Sequence, residues 1–454
     1  MLLETIFPKS QKGTSETLIF YFSLAAIVAA ITFSFGDLTK NFIIYNKFIR
    51  VNTLTAVLNI VLLAGIFITV LSSKNYLQQE KINHGEYYSL LIFSLFGMML
   101  MGQANDLIVV FVGLELMSIC LYVLAGFMRR KVESNESAIK YFLLGAFLTG
   151  FLLLGIAFIY GYTGSTNYTA ITDAHPQKDT FYLLGLTLVF IAFIFKTGSF
   201  PLQMWIPDVY QGAPTVVTGM MSSVGKTAAF GALISFFSIF ALNNIPMVVA
   251  MVAILTMLYG NVVALVQTNI KRLLAYSSIA HAGYIMVGFL TINPGSIRAI
   301  MFYLVSYILM QSGAFIIISM VEEKTGDNTS KNTLESYKGL GKTNPMLSLL
   351  MTIFLFSLAG IPPFAGFWGK YYIFLSAIQV NYLWVAIIGI LLSLVGVYYY
   401  IKVILYMWFY EPVSETTTAY RSDFSYTAAI ISVIGLFAFG IYPDLILRYL
   451  RNII

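Results

Sequence analysis

The chain has 454 residues, 59% of them hydrophobic and 10% charged, against about a quarter charged in an ordinary soluble domain, so a soluble globule is excluded. One cysteine, Cys120, and three histidines are too few to ligate an iron–sulfur cluster or a cysteine-built zinc site, and no disulfide can close within the chain. The formal charge of +6 comes from cations scattered through loops and apolar runs, a pattern that excludes nucleic acid as a partner and points to the lipid bilayer.

Apolar runs of about 17 to 25 residues, the length of a bilayer crossing, fall at 17–35, 51–71, 86–104, 106–127, 137–161, 181–199, 216–241, 246–267, 272–291, 298–321, 345–378, 383–409 and 426–446. They predict an all-α polytopic membrane protein with thirteen spans. Met1 to Phe7 reads as the tail of an apolar helix whose beginning is absent. The run at 181–199 breaks at Gly198 to Pro201. The run at 345–378 is interrupted by Gly360-Ile361-Pro362-Pro363 and is expected to be one broken helix. The longest hydrophilic stretch, Glu322 to Asn344, is expected to be a solvated linker.

Alternating the loops across the membrane puts fourteen basic residues on one side, among them Lys81, Arg129, Arg130, Lys131, Lys271 and Arg272, and seven on the other, including Lys40, Lys47 and Arg50. The positive-inside rule then makes the first side cytoplasmic. The N-terminus is expected inside and the C-terminus outside.

Five lysines remain within or at the ends of spans: Lys140, Lys196, Lys226, Lys370 and Lys402. Only one acid, Glu115, sits mid-span. An ionised group there costs several kcal/mol unless paired or hydrated, and such groups mark ion paths in transporters. Glu115 is too deep in its helix to snorkel. Lys196 adjoins the first break, where freed carbonyls admit water, and Lys226 is flanked by small residues; their plain alternatives are a helix-end lysine and interhelical packing. Lys140 and Lys370 lie nearer helix ends, where snorkelling competes. Lys402, after three tyrosines, suits an interfacial anchor. His281, among Ser277, Ser278 and Tyr284, is a candidate proton relay, with a hydrogen-bonded interhelical histidine as the alternative. Trp205, Pro207 and Asp208 suit a loop that reseals the first break. A sodium or potassium site wants clustered carboxylates, and one buried carboxylate does not supply it. Buried lysines release protons more readily than solvated ones, so protons are the expected cargo.

The two breaks, Phe195-Lys196-Thr197-Gly198-Ser199-Phe200-Pro201 and Leu358-Ala359-Gly360-Ile361-Pro362, echo each other about 160 residues apart. Such an echo accompanies inverted repeats whose working site lies at broken helices. The expected organisation is a single membrane domain, 1–454, with N-terminal helices over 1–105, a first half-channel repeat over 106–241, a second over 246–409 and a C-terminal helix in 410–454.

Three stretches carry a family resemblance: Phe195 to Thr215 with its Pro207-Asp208-Val209-Tyr210-Gln211-Gly212-Ala213-Pro214 core, Asn261 to Tyr284, and Leu358 to Lys370. They resemble the antiporter-like membrane subunits of respiratory complex I, the proton-pumping NADH-quinone oxidoreductase. Within that family the form of the first stretch, Lys370 and the lack of a long C-terminal extension resemble the subunit N branch. Subunit M usually carries a glutamate at the Lys370 position, and subunit L is longer. The resemblance implies a non-redox, proton-translocating subunit in the bacterial plasma membrane. It has no cofactor of its own; NADH, FMN, iron–sulfur clusters and quinone serve other subunits. Its implied partners are the antiporter-like subunits M and L and the small subunits K and J. It further implies that Glu115 and Lys196 are an ion pair, Lys226 a central lysine, His281 a relay, Lys370 a terminal lysine, and Lys140 a lysine typical of the branch. Two departures stand out. Relatives often carry histidine where Gln203 stands, and the family has fourteen helices against the thirteen expected here, so the first is the one expected to be missing. Two other readings of the residues remain: a large subunit of a multisubunit cation/proton antiporter, and a structural spacer that keeps its charges for helix registry.

Overall fold

The computed structural model describes residues 12–174, 179–240, 245–324, 330–412 and 422–450; Met1 to Phe7 and His175 lie outside them. Helices α1 (Lys12–Gly36), α2 (Thr53–Gln79), α3 (Gly85–Gln103), α4 (Leu107–Ala125) and α5 (Val132–Thr163) are followed by α6 (Thr180–Thr197) and the short α7 (Ile206–Gly212). Then come α8 (Thr215–Phe240), α9 (Pro246–Leu265), α10 (Ile270–Val287), α11 (Pro294–Val321), α12 (Pro345–Ala359), α13 (Ala365–Gln379), α14 (Leu383–Phe409) and α15 (Asp423–Ile441). Twelve helices among the described residues are long and apolar enough to cross a membrane. The interrupted pair α12–α13 takes the place of the expected thirteenth crossing.

Local sequence explains most helix ends. Asn52 and Asn293 each form a capping box, the second followed by proline at the first helical position, and Asp106, Asp179 and Asn269 cap the starts of α4, α6 and α10 with side-chain oxygens. Helix α5 begins five residues before its apolar run. Glu133, Asn135 and Glu136 are exposed and extend it into water, because hydropathy marks the buried part of a helix and not its hydrogen-bonded length.

The centre of the bundle is α10 and α11, whose most apolar windows are 100% and 94% buried, whereas α1, α14 and α15 are about one-third buried and form the rim. One end carries the hairpin Phe42–Ile44/Ile49–Val51, tied to the start of α4 by the Asn105 N–H on the Phe48 carbonyl. The opposite end gathers Glu80, Lys131, Asp208 and Arg272 in ion pairs. The stretch after Glu322 departs from the expected solvated linker: Leu334, Tyr337 and Leu340 are buried. Its backbone docks on the start of α10 through Ile270 N–H to Asn332 O and Leu334 N–H to Thr268 O. Apolar residues spaced at 334, 337 and 340 give that segment a buried side, which its many charges hide from a hydropathy reading.

Candidate functional site

The site is built on the two helix breaks. Helix α6 stops at Gly198 in the left-handed conformation (φ 74°), and α12 stops at Gly360 in the same way (φ 86°). At each, the next residue's N–H bonds back to a carbonyl one turn and a half earlier, Ser199 to Ile194 and Ile361 to Phe356, the closing geometry that glycine permits. Prolines downstream prevent continuation. The chain after the first break is held by Trp205, whose indole N–H donates to the Phe195 carbonyl (3.2 Å) and whose ring stacks on Tyr141 at 4.5 Å.

Lys196, Lys226, Lys370 and His281 are 6, 2, 8 and 1% exposed, so each must find its partners inside the protein. Lys196 donates to Ser118 Oγ (2.7 Å) and Tyr122 OH (3.4 Å), with the rings of Tyr122 and Tyr141 at 5.6 and 5.7 Å. Glu115, on the same helix as Ser118, is half-buried and accepts from Thr149 Oγ1 at 2.7 Å. The direct Glu115–Lys196 ion pair expected from sequence is therefore not closed. The ammonium sits on the serine one turn along α4 instead.

Lys226 directly follows a π-helical turn, Met221–Gly225, a distortion often found at functional sites. Its Nζ donates to Ser278 O (2.8 Å) and Ser278 Oγ (3.0 Å). A Cβ placed on Gly198 would lie 3.4 Å from the same Nζ, so the first break seats this lysine as well. One turn beyond Ser278, the two ring nitrogens of His281 are hydrogen-bonded to Tyr303 OH (2.7 Å) and Tyr400 OH (3.1 Å), and Tyr400 also bonds Ser277. A neutral imidazole donates through one nitrogen and accepts through the other, so both hydroxyl contacts can be satisfied at once. Tyr284 packs edge-on against His281 and lies under the Lys370 ammonium at 5.0 Å. Lys370 donates to the freed carbonyl of Ala359 and to Ser393 Oγ, both at 2.8 Å. Ser278, the Tyr303–His281–Tyr400 hydrogen bonds and the Tyr284 ring thus lie between Lys226 and Lys370 at the centre of the bundle.

Lys140 stands apart from this row. It is 41% exposed and pairs with Glu136 (2.7 Å) and Asp208 (2.8 Å), while Arg272 takes the other Asp208 oxygen (2.8 Å). Burial pushes the Asp208 carboxyl up, but hydrogen bonds from Lys140 and Arg272 outweigh it and hold the group below the usual carboxylate range. Asp208 is thereby part of a clamp on α7. Gln203 is buried, and its amide oxygen has no protein partner, which leaves it suited to binding water but unable to titrate.

Several groups escaped the sequence reading. Lys271, counted with the loop cations, is 2% exposed and donates to Ala213 O (2.7 Å). Glu322, counted in the linker, is partly buried and accepts from Thr215 and Asn332. Tyr400 is enclosed at the centre and is no part of an interfacial belt. Ser278 had a signal in its spacing, three residues before His281; Ser393 and Tyr303 had none. Among the described residues no cluster of His, Cys, Asp and Glu suits a metal ion.

A family described as NADH:quinone oxidoreductase/Mrp antiporter, TM, matches residues 104–396. The chain is 42% identical over its whole length, and 93% of the relative's, to NADH-quinone oxidoreductase subunit N of Trichlorobacter lovleyi. It is 44% identical to subunit N 1 of Chloroherpeton thalassium over 86% of this chain and 82% of that one. Among solved structures, a chain of respiratory complex I from Thermus thermophilus superposes with TM-score 0.83 at 32% identity, covering 98% of this chain and 95% of that one. A chain of the Mrp complex from Dietzia shares the fold, with TM-score 0.85 at 20% identity over 96% and 91%.

Proposed function

The chain belongs to the NADH:quinone oxidoreductase/Mrp antiporter family of membrane subunits, and from that premise we propose that it is the antiporter-like subunit N of an NADH-quinone oxidoreductase. In this reading it moves protons across the bacterial plasma membrane while NADH oxidation and quinone reduction proceed in other subunits, which also hold the FMN and iron–sulfur clusters. Its neighbours would be the other membrane subunits of such a complex. The end of the bundle bearing Glu80, Lys131 and Arg272 would face the cytoplasm.

The observation that carries the reading is the enclosed row Lys226, Ser278, His281, Tyr284, Lys370. Its ammonium groups meet only hydroxyls, carbonyls and rings, with no carboxylate in contact. A bound metal cation would find like charge there, whereas a proton can pass between amines, hydroxyls and imidazole. Lys196 supplies the control. While it rests near Glu115 its charge is held on α4; when it swings toward the first break it approaches Lys226, and repulsion between the two ammoniums drives the Lys226 proton along the row. The plain alternative, that the charges only hold helices in register, does not call for an imidazole hydrogen-bonded at both nitrogens between Lys226 and Lys370.

In the assembled complex, quinone turnover and proton pumping should be measured separately for Glu115→Gln and Lys196→Met. Since Lys196 is buried with its ammonium on Ser118 and replacing it can destabilise the bundle, assembly is checked first. Both variants should pump below the parental proton-to-electron ratio. Parental pumping in both would reduce the two residues to a structural role. Co-purification separates the antiporter alternative: a complex that oxidises NADH supports subunit N, and a set of hydrophobic subunits without that activity supports the other.

A further inference from the structure

The proposed row begins at Lys226, and a separate set of groups leads to that lysine from the Glu80–Lys131 end of the bundle. Helices α8 and α11 pack in opposite directions with three matched contacts. Thr215 Oγ1 donates to Glu322 Oε2 (2.8 Å), Gly219 faces Phe315, and Ser223 is hydrogen-bonded to Ser312 (2.7 Å). Residues 215 and 219 lie one above the other on α8, and Ser223 and Lys226 follow across the π-helical turn Met221–Gly225, with Lys226 turned to Ser278 on α10. The seam thus runs from Glu322 to Ser223, about 12 Å at 1.5 Å per residue, and Lys226 follows three residues on.

Its outer end is a recess of about 120 Å³ lined by Glu322, Lys271, Lys131, Glu133 and Asn332. Lys271 and Lys131 bring positive charge to Glu322 from α10 and from the loop before α5. Tyr76 and Tyr337 face it from α2 and the docked segment, and Glu80 lies nearby, paired with Lys131. Burial pushes the Glu322 carboxyl up, but Lys271, the hydrogen bonds from Asn332 and Thr215, and Lys131 leave it below its ordinary value. The charged form is thus the resting form.

A small cavity of about 10 Å³ lies along the seam, the least that holds one water; Thr69, Ser72 and Ser312 offer it hydroxyls among five apolar side chains. Gln311, fully buried one turn from Phe315 on the same side of α11, has no protein partner for either its amide nitrogen or its oxygen. Helix packing through small residues accounts for Gly219 and the serine pair. It does not account for an enclosed glutamine without partners, nor for a carboxylate with two neighbouring lysines at the seam's mouth.

We propose that Glu322 is the entry carboxylate of this subunit, taking protons from the recess and feeding Lys226 along the α8–α11 seam, with Lys271 returning it to the charged form. This rests on the proton-translocating reading above. In each transfer a hydronium in the recess loses a proton to a Glu322 oxygen. The proton then passes over the Thr215 hydroxyl and seam water to the neutral Lys226 amine, where a new N–H bond forms, and the carboxylate is regenerated. No group is oxidised or reduced.

The test uses membrane vesicles containing the whole complex, with a pH-sensitive dye for pumping and quinone reduction followed in parallel. Glu322→Gln should slow pumping about tenfold or more, the effect of losing one positioned proton carrier. The loss should deepen as the pH on the recess side rises, because uptake then depends on scarce free hydronium; Glu322→Asp should restore most of the rate. If Glu322→Gln does not assemble, Thr215→Val, which keeps shape and charge, should still slow pumping with the same pH trend. Parental rates and an unchanged pH profile in the assembled variants overturn the proposal. If that happens while Lys226→Met stops pumping, the entry route alone is wrong. If the parent complex reduces quinone without moving protons, the underlying reading falls and the entry role with it.

Discussion

The two helix breaks use the same backbone device and supply it with lysine in different ways. At the first, Lys196 lies two residues before the glycine and turns away to Ser118, and the ammonium at the glycine is Lys226 from α8. At the second, Lys370 follows the break on α13 and folds back over its own gap, with Nζ on the Ala359 carbonyl. A Cβ on either glycine would lie 3.3–3.4 Å from the ammonium it seats. The break is therefore a lysine seat whichever helix brings the lysine. The first break has one lysine seated and a second able to approach it, which suits a control point; the second has one lysine held by backbone and Ser393, which suits a terminus.

Substituting the glycines separates the two seats. Gly360→Ala should have the larger effect. Its Cβ would stand 2.9 Å from Lys370 Cδ and 3.3 Å from Nζ, and a non-glycine residue in the left-handed conformation adds about 1–2 kcal/mol of strain. Pumping by the assembled complex should fall about tenfold, a shift of about 1.4 kcal/mol in barrier height. Gly198→Ala bears the same backbone strain, and its Cβ would overlap the δ-methyl of the fully buried Ile206, a packing clash that falls on folding and assembly, whereas Lys226 Nζ lies at 3.4 Å, ordinary contact distance. Its loss of pumping per assembled complex should be smaller, about twofold to threefold. Equal losses, or the reverse order, would break the view that the second seat is the more tightly built.

Thr149→Val removes the one hydrogen bond described for the Glu115 carboxylate, worth about 1.5–3 kcal/mol for a charged acceptor. With that anchor gone, Glu115 is freer to meet Lys196, so the pair should close more often and pumping should fall without loss of assembly; faster pumping would contradict the control role given to the first break. The smallest effect is expected at the clamp. Asp208→Asn loses two partly exposed ion pairs, worth about 1 kcal/mol or less together after solvent screening. Because the Asp208 carboxyl is held below its usual range, its contribution is complete above about pH 4, the unfolded value. It is lost only as the pH falls through the still lower folded value. The difference in thermal midpoint between parent and Asp208→Asn should therefore be constant from about pH 5 to 8 and shrink in acid. A difference that varied with pH near neutrality would place another titrating group in the clamp.

Most of the architecture was legible because lipid imposes long apolar runs and makes their interruptions conspicuous. The breaks at Gly198 and Gly360 and the buried lysines Lys196, Lys226 and Lys370 all stood out as exceptions to hydropathy. What surrounds them was not legible. Apart from Ser278, which its spacing from His281 marks, Ser118, Ser393, Tyr303 and Tyr400 are ordinary residues in apolar helices, and their roles depend on which helix faces which, a fact that single-helix periodicity does not contain. Lys271 and Glu322 were misplaced for the opposite reason. They sit at helix ends beside loops, where charge looks solvated, and only the docking of the segment around Asn332 encloses them. Lys140 was singled out by its place near an apolar run and by resemblance, and the structure puts it in the Asp208 clamp, away from the row.

Proton transfer along this row requires Lys226 to give up its proton, and Lys226→Arg probes that step because arginine keeps the charge and the hydrogen-bonding capacity but stays protonated. The measurement is the proton-to-electron ratio of the fully assembled complex in sealed vesicles, with Lys226→Ala alongside. A carrier role predicts that both variants fall well below the parent while still assembling. Parental ratios in both would show that protons do not pass through Lys226, and the row from Ser278 to Lys370 would lose its function with it.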